Sequence, residues 1–169
     1  MGEITIERAE ANAATSAAAA IPHDLIELFF FAYRDFVGDP DRILADYGFG
    51  RAHHRVLHFV ERRPGLTIAE LLDILKITKQ SLNRVLKELV ETGHVEQRTG
   101  RQDKRQRHLH TTPAGQELAR RLVQLQAKRI DAALEGLGAD AADLVTRYLE
   151  RMIDPAERGK VTRLLAAPR

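Results

Sequence analysis

The sequence of 169 residues contains no cysteine and no tryptophan, and aromatic residues make up only 5% of it. The lack of cysteine excludes a disulfide framework and a thiolate metal site. Few aromatic residues and few β-branched runs favour a mainly α-helical fold. No apolar run approaches the roughly 18 to 20 residues that a membrane span needs.

The first twenty residues are rich in alanine but carry Glu3, Glu7 and Glu10 instead of the basic segment that starts a secretory signal. We therefore expect residues 1–20 to form a disordered extension and the protein to be cytoplasmic.

Basic residues are concentrated in one segment. Residues 76–108 carry nine basic and four acidic side chains, whereas the whole chain has 26 basic and 24 acidic residues. One basic face on a slightly acidic body is typical of a protein with a polyanionic partner.

A strongly apolar helix is predicted from Pro22 to Val37. Its apolar side chains occupy nearly the whole circumference, so that it must be buried on more than one side. This pattern indicates a subunit interface, and a central core helix is the alternative. Gly38-Asp39-Pro40 predicts the end of the helix, with no more than a short turn over residues 41–46.

Residues 67–112 predict a helix-turn-helix followed by a β-hairpin. A helix over about 51–63 precedes them, and Pro64-Gly65 ends it. Thr67 and Glu70 form a capping box that opens a short helix up to Leu75. Lys76-Ile77-Thr78 is the predicted turn, and Thr78 caps the next helix. The apolar stripe of that helix consists of Leu82, Val85, Leu86, Leu89 and Val90.

The opposite face of this second helix is polar, as expected of a helix that enters a DNA groove. Asparagine and glutamine side chains can pair with adenine, and arginine with guanine, whereas lysine more readily contacts phosphate. The candidate DNA-binding residues here are Thr78, Lys79, Gln80, Ser81, Asn83, Arg84 and Lys87.

The hairpin is predicted from two short runs, residues 95–98 and 107–111, that flank a basic turn. Its cations would add salt-sensitive attraction to the DNA backbone. The candidates are Arg98, Arg101, Lys104 and Arg107.

Two further helices follow the hairpin. Thr112-Pro113 caps a long helix up to about residue 135, Gly136 and Gly138 break it, and residues 140–153 form a final helix. The remaining tail is expected to be a partial helix at most. The predicted organisation is an extension (1–20), a dimerisation helix with linker (21–48), a winged helix-turn-helix lobe (49–112), dimerisation helices (113–155) and a tail (156–169).

With its elements in this order, the chain resembles the MarR family of transcriptional regulators and, within it, the PetP-like branch. The resemblance covers about residues 22–155. It rests on residues 64–71 at the start of the helix-turn-helix, 78–89 as the recognition helix, 89–95 before the wing, Asp103–Arg107 in the wing, and Thr111-Thr112-Pro113-Ala114-Gly115 after it.

The resemblance implies a homodimer in which the terminal helices of both subunits interlock above two winged helix-turn-helix lobes that bind a palindromic operator. It implies that Arg105 enters the minor groove and that Asp103 orients Arg105. The alternative role for Asp103 is to close the hairpin turn. The chain departs from the family in the short strand His108-Leu109-His110, which leaves the pairing of the wing open.

Three histidines lie on the helix before the helix-turn-helix, and His54 and His58 share one face. This spacing can hold zinc, but no His-Glu-x-x-His pattern is present, so we favour surface or pocket histidines and expect no metal and no cofactor. His53 completes the cluster. The resemblance places a cleft for small phenolic or lipid-like effectors at this helix, with Phe29, Tyr33, Arg51, His54 and Arg55 as candidate contacts.

Two other functions compete with DNA binding. An enzyme, such as a metal-dependent hydrolase that uses the histidines, is disfavoured because the sequence has no carboxylate–histidine constellation, no glycine-rich phosphate loop and no nucleophile elbow. A winged-helix module that binds another protein is the second alternative.

Overall fold

The computed structural model describes residues 22–100 and 106–166. Contacts divide the chain into a first unit that ends at Asp35 and a second that starts at Phe36. The helices in the described residues are α1 (His23–Ala45), α2 (Arg51–Arg62), α3 (Ile68–Leu75), α4 (Lys79–Glu91), α5 (Pro113–Leu134), α6 (Ala141–Met152) and α7 (Pro155–Ala166), and the strands are β1 (Leu66–Thr67), β2 (Val95–Thr99) and β3 (Arg107–Thr111).

The predicted fold class is confirmed, because the chain is mainly α-helical with a small β-hairpin wing. The capping box before α3 is formed as expected: Thr67 Oγ1 accepts from the amide of Glu70 at 3.2 Å, and the Glu70 carboxylate accepts from the amide of Thr67 at 2.8 Å. Lys76 then adopts a left-handed conformation (φ 52°) and ends α3. The helix-turn-helix therefore has the boundaries that its local signals predict.

A leucine- and valine-rich core lies where α2, α3, α4, the sheet and the start of α5 meet. Burial of each such side chain contributes about 1.5–3 kcal/mol. This core fixes which face of α4 is turned inward. Its fully buried members include Leu57, Val60, Leu71, Leu82, Val85, Leu89, Leu109, Leu118 and Leu122.

The wing belongs to a three-stranded antiparallel sheet in the order β1-β3-β2. The pairs Val95↔Thr111, Gln97↔Leu109 and Thr99↔Arg107 define the hairpin register. Strand β1, which the sequence analysis missed because it has only two residues, pairs Leu66 with Leu109. Strand β3 is thus paired on both sides, and its Leu109 belongs to the core.

The predicted break at Gly38-Asp39-Pro40 is wrong, since α1 continues through these residues to Ala45. A proline inside a helix costs about 3 kcal/mol. Burial of Val37 and Leu44 offsets this cost, because both are among the core residues of the second unit. Asp39 also accepts a hydrogen bond from Arg129 of α5 at 2.6 Å, and this contact holds the pKa of Asp39 below its ordinary value.

The expectation of at most a partial helix after Asp154 is also wrong. Residues 155–166 form the twelve-residue helix α7, whose first turn is capped by the Asp154 carboxylate at 2.8 Å from the amide of Ala156. Charged contacts attach α7 to the helix-turn-helix: Lys160 pairs with Asp73, and Glu157 pairs with Lys76 at 3.2 Å. Sequence periodicity gave little sign of this helix, because none of its residues is fully buried.

Large apolar side chains are exposed in the first unit and in α6. In the described part of the first unit, these are Leu25, Ile26, Leu28, Phe29, Phe30, Phe31 and Tyr33; in α6, they are Leu144, Val145, Tyr148, Leu149 and Met152. Among the described residues, no helix is long and apolar enough to cross a membrane.

Candidate nucleic-acid interface

Helix α4 is positioned at its start by Thr78. The Thr78 hydroxyl accepts from the amide of Ser81 at 3.1 Å, which satisfies one of the free amides at the helix N-terminus. The buried stripe Leu82, Val85, Leu86 and Leu89 turns the opposite face outward. Val90, predicted as part of that stripe, is instead 37% exposed at its edge.

The outward face of α4, together with the N-cap, carries six of the seven DNA contacts predicted for this helix as exposed side chains. Within the described part of the chain, Gln80, Asn83 and Arg84 form no hydrogen bond with other side chains, so their donors and acceptors remain available. Lys87 lies 3.7 Å from Glu91, a weak surface pair. The six exposed residues are Thr78, Lys79, Gln80, Asn83, Arg84 and Lys87, and Ser81 is partly buried at the helix start.

The wing holds two of the predicted arginines beside the loop. Arg98 donates to Glu96 at 2.9 Å along the same strand, and Arg107 donates to Thr99 at 2.5 Å across the hairpin. Both guanidinium groups are exposed, and the amide of Gly100 donates to Gln106 at 3.0 Å to close the base of the loop. Arg101, Asp103, Lys104 and Arg105 lie outside the described residues, so their predicted roles stay predictions.

Two of the predicted effector contacts on α2 already have partners. Arg51 pairs with Asp41 at 2.8 Å, and Arg55 donates to the carbonyl of Leu75, the last residue of α3, at 2.9 Å. His54 is 8% exposed, and burial lowers its pKa although the charge of Asp41 opposes the shift. Phe29 and Tyr33 are exposed in the first unit.

The histidine cluster on α2 is divided among different surroundings. His53 is buried and bonds to Glu88 of α4 at 2.6 Å. His58 is half-buried, and burial lowers its pKa, with a further contribution from the charge of His54. Among residues 22–100 and 106–166, no three histidine or carboxylate side chains are grouped as the ligands of a metal ion would be.

A cleft of about 390 Å³ lies between α2 and α5. Its walls combine apolar surface with the charged side chains of Glu61, Arg62 and Arg120. Of its lining residues, only His58 was singled out from the sequence, as a surface or pocket histidine. No signal in the sequence places these two helices side by side. The lining consists of His58, Glu61, Arg62, Pro64, Ala119, Arg120 and Val123.

Sequence comparisons agree with this arrangement. The pattern of the MarR family matches residues 47–106. The HTH-type transcriptional regulator PetP from Rhodobacter capsulatus is 53% identical over 133 residues, which span 79% of this chain and 80% of PetP.

Solved structures share the fold at low identity. FabT from Streptococcus pneumoniae, solved in complex with DNA, superposes with a TM-score of 0.69 at 16% identity, covering 77% of this chain and 93% of FabT. MarR superposes with a TM-score of 0.62 at 22% identity, covering 86% and 95% of the two chains. The transcriptional regulator SlyA superposes with a TM-score of 0.64 at 19% identity, covering 76% and 91%.

Proposed function

Because the chain belongs to the MarR family of transcriptional regulators, we propose that it is a homodimeric repressor that binds a palindromic operator and leaves it when a small-molecule effector binds. The exposed polar face of α4 carries this proposal. Gln80, Asn83 and Arg84 are side chains suited to reading base edges, and a packed core holds them on one helix. Since its ligand is chromosomal DNA, the protein would act in the cytoplasm.

The proposed complex places α4 in the major groove and the wing beside it. Arg98 and Arg107 would contact the backbone there, and the loop between them would bring Arg105 to the minor groove, where narrow A·T-rich segments attract guanidinium. FabT, which shares this fold, was solved with DNA. That likeness in fold supports the proposed mode of binding. Selection from a random pool of duplexes would give the operator sequence.

A salt titration on duplex DNA tests the proposal. Several phosphate contacts per subunit imply that log K falls with log salt with a slope on the order of −5 or steeper for a dimer. The matched control is a variant with Asn83, Arg84 and Lys87 all changed to alanine, which should lose sequence preference. A flat titration would contradict DNA binding and favour the protein-interaction module instead. A promoter reporter then separates a repressor from an activator.

Dimer formation is proposed from the exposed apolar residues of the first unit and of α6. Soluble monomers rarely expose so many large apolar side chains on their helices. The terminal helices of a second copy of the chain would cover them by interlocking with these helices. Sedimentation at low micromolar concentration should show a dimer. A monomer that still binds operator DNA would overturn this part of the proposal.

The effector is proposed to occupy the 390 Å³ cleft between α2 and α5, because its volume lies within the usual range of about 300–1,000 Å³ for ligand pockets. Arg62 and Arg120 suit a small organic anion with an apolar body. A panel of aromatic carboxylates, starting with benzoate, should release operator DNA from the wild type. The double variant Arg62→Ala/Arg120→Ala should no longer release the DNA. Release that persists in this variant would exclude the cleft.

A further inference from the structure

His53 occupies a position that links α2 to the recognition helix α4. One ring nitrogen, Nδ1, lies 3.1 Å from the amide of Gly50, and the other, Nε2, lies 2.6 Å from the Glu88 carboxylate. A backbone amide only donates, so Nδ1 accepts and the ring proton resides on Nε2. His53 therefore donates to Glu88 and, with its other nitrogen, caps the start of its own helix.

The His53 ring is held in one orientation by packing. It is 8% exposed and stacks on Phe49 with 4.7 Å between ring centroids and 9° between planes. Phe49 in turn makes a T-shaped contact with His94, the residue before β2, with 5.2 Å between centroids. Because Phe49 covers one face of the ring and both of its nitrogens have partners, Nε2–H points to a fixed place beside α4.

Glu88 lies between the buried stripe and the DNA-facing side of α4, one turn after Arg84. The apolar stripe decides which face of α4 is inward, but apolar contacts are non-directional and tolerate small rotations and shifts. A hydrogen bond to a charged group is directional and stronger than a neutral one. Base reading requires side chains placed within about 0.5 Å and 10–20° of the productive geometry.

We propose that His53 is a positioning residue for sequence reading: through its bond to Glu88, it sets the rotation and axial position of α4 and hence the reach of Asn83 and Arg84. Arg55, on the same helix, makes a second polar contact: it donates a hydrogen bond to the carbonyl of Leu75, the residue immediately before the turn. Helix α2 thus makes a polar contact with each helix of the helix-turn-helix, through Arg55 with α3 and through His53 with α4.

This inference rests on the proposed DNA-binding function. Its test uses the full-length protein and an operator that the wild type selects from a random pool of duplexes. The measured quantity is the ratio of affinities for operator and for an unrelated duplex of equal length at fixed salt, with the thermal midpoint recorded separately. If the wild type selects no sequence, the proposed function fails, and this outcome differs from failure of the His53 proposal.

The variants are His53→Phe, which keeps the stack on Phe49, together with Glu88→Ala, Glu88→Gln and the His53→Phe/Glu88→Ala double variant. His53→Phe and Glu88→Ala should each lower the affinity ratio about tenfold, in line with the loss of one charge-assisted hydrogen bond. Glu88→Gln should lose less than Glu88→Ala, because its amide oxygen still accepts from Nε2 in a neutral hydrogen bond. The double variant should lose no more than either single change.

Three results would overturn the proposal. If the thermal midpoint falls while the affinity ratio is unchanged, His53 has a purely structural role. If Glu88→Gln behaves as Glu88→Ala, the charge of Glu88 matters instead of its hydrogen bond. If losses in the double variant are additive, the two residues act separately.

Discussion

Individual side chains on α4 are expected to have different roles in DNA binding. Asn83 and Arg84 are exposed without side-chain partners in the described structure, whereas Lys87 lies near Glu91. Asn83→Ala and Arg84→Ala should each lower discrimination at one base by about 1–3 kcal/mol. Lys87→Ala should weaken all sequences about equally and make the salt slope shallower by about one per subunit.

Competition binding with a set of single-base operator variants measures these effects. A uniform loss of affinity in all three mutants would mean that another face of α4 reads the bases.

Asp103 and Arg105 form the second residue-scale prediction, which rests on the sequence because both lie outside the described residues. Arg105→Ala should reduce operator binding most among the wing changes while the dimer stays intact. Asp103→Ala should give a smaller loss. If Asp103 orients Arg105, the two losses should be non-additive in a double-mutant cycle at fixed salt. Additive losses would assign Asp103 to the hairpin turn alone.

The junction between the wing and α5 depends on a close approach of two backbones. A methyl group at Gly115 would lie 2.0 Å from the carbonyl oxygen of His94, which already accepts from the amide of Thr112 at 3.1 Å. Neither backbone can move easily, because the Thr112 hydroxyl also donates to Gly93 at 2.6 Å and caps α5. Only glycine therefore permits α5 to start directly under the hairpin.

Gly115→Ala should lower the free energy of unfolding by about 2 kcal/mol or more, since overpacking against backbone is costly. The matched control is Gly159→Ala in α7, where the nearest atom is the flexible end of Arg163 at 3.7 Å. This change should be neutral or stabilise by up to about 1 kcal/mol through helix propensity. Urea unfolding of both variants provides the measurement, and equal midpoints would contradict the clash.

Stability of the whole molecule is expected to depend on pH through histidines that are buried or half-buried in the folded chain. Burial is the largest cause that lowers the pKa of His54 and of His58 below the ordinary value of 6.5. The unfolded chain then binds more protons than the folded one as pH falls, so the free energy of unfolding rises with pH. The contribution of these two histidines to the free energy of unfolding is complete above pH 6.5. It is lost as the pH falls below 6.5 and through their lower pKa values in the folded chain.

Urea unfolding at pH 7.5, 6 and 5, at one protein concentration, should therefore show decreasing stability, and His58→Gln should reduce the slope. Because the pKa values of Asp39 and Asp73 are lowered from the ordinary value of 3.8, these two carboxylates change the stability only at more acidic pH. They do not affect it between pH 7.5 and 5. A stability that is constant between pH 7.5 and 5 would contradict the prediction.

Local signals of the sequence by themselves determined the helix-turn-helix and the start of α5. Thr67 with Glu70, Thr78 with Ser81, and Thr112 with Gly115 are each three residues apart, so neighbours along the chain supply both partners of every cap. Because such contacts form in any surrounding, the boundaries of α3, α4 and α5 agree with the sequence analysis. The resemblance to the MarR family rests on longer segments that include the wing, and the 53% identity to PetP shows the membership.

Only the tertiary structure decided the features whose partners lie far apart in the sequence. Helix α1 passes through Pro40 because Leu44 enters a core built from other elements, and α7 depends on Asp73 and Lys76, more than eighty residues earlier. His53 found its partner Glu88 thirty-five residues away. No local pattern encodes these contacts, since they arise when the packing of α2 against α4 brings the two side chains together.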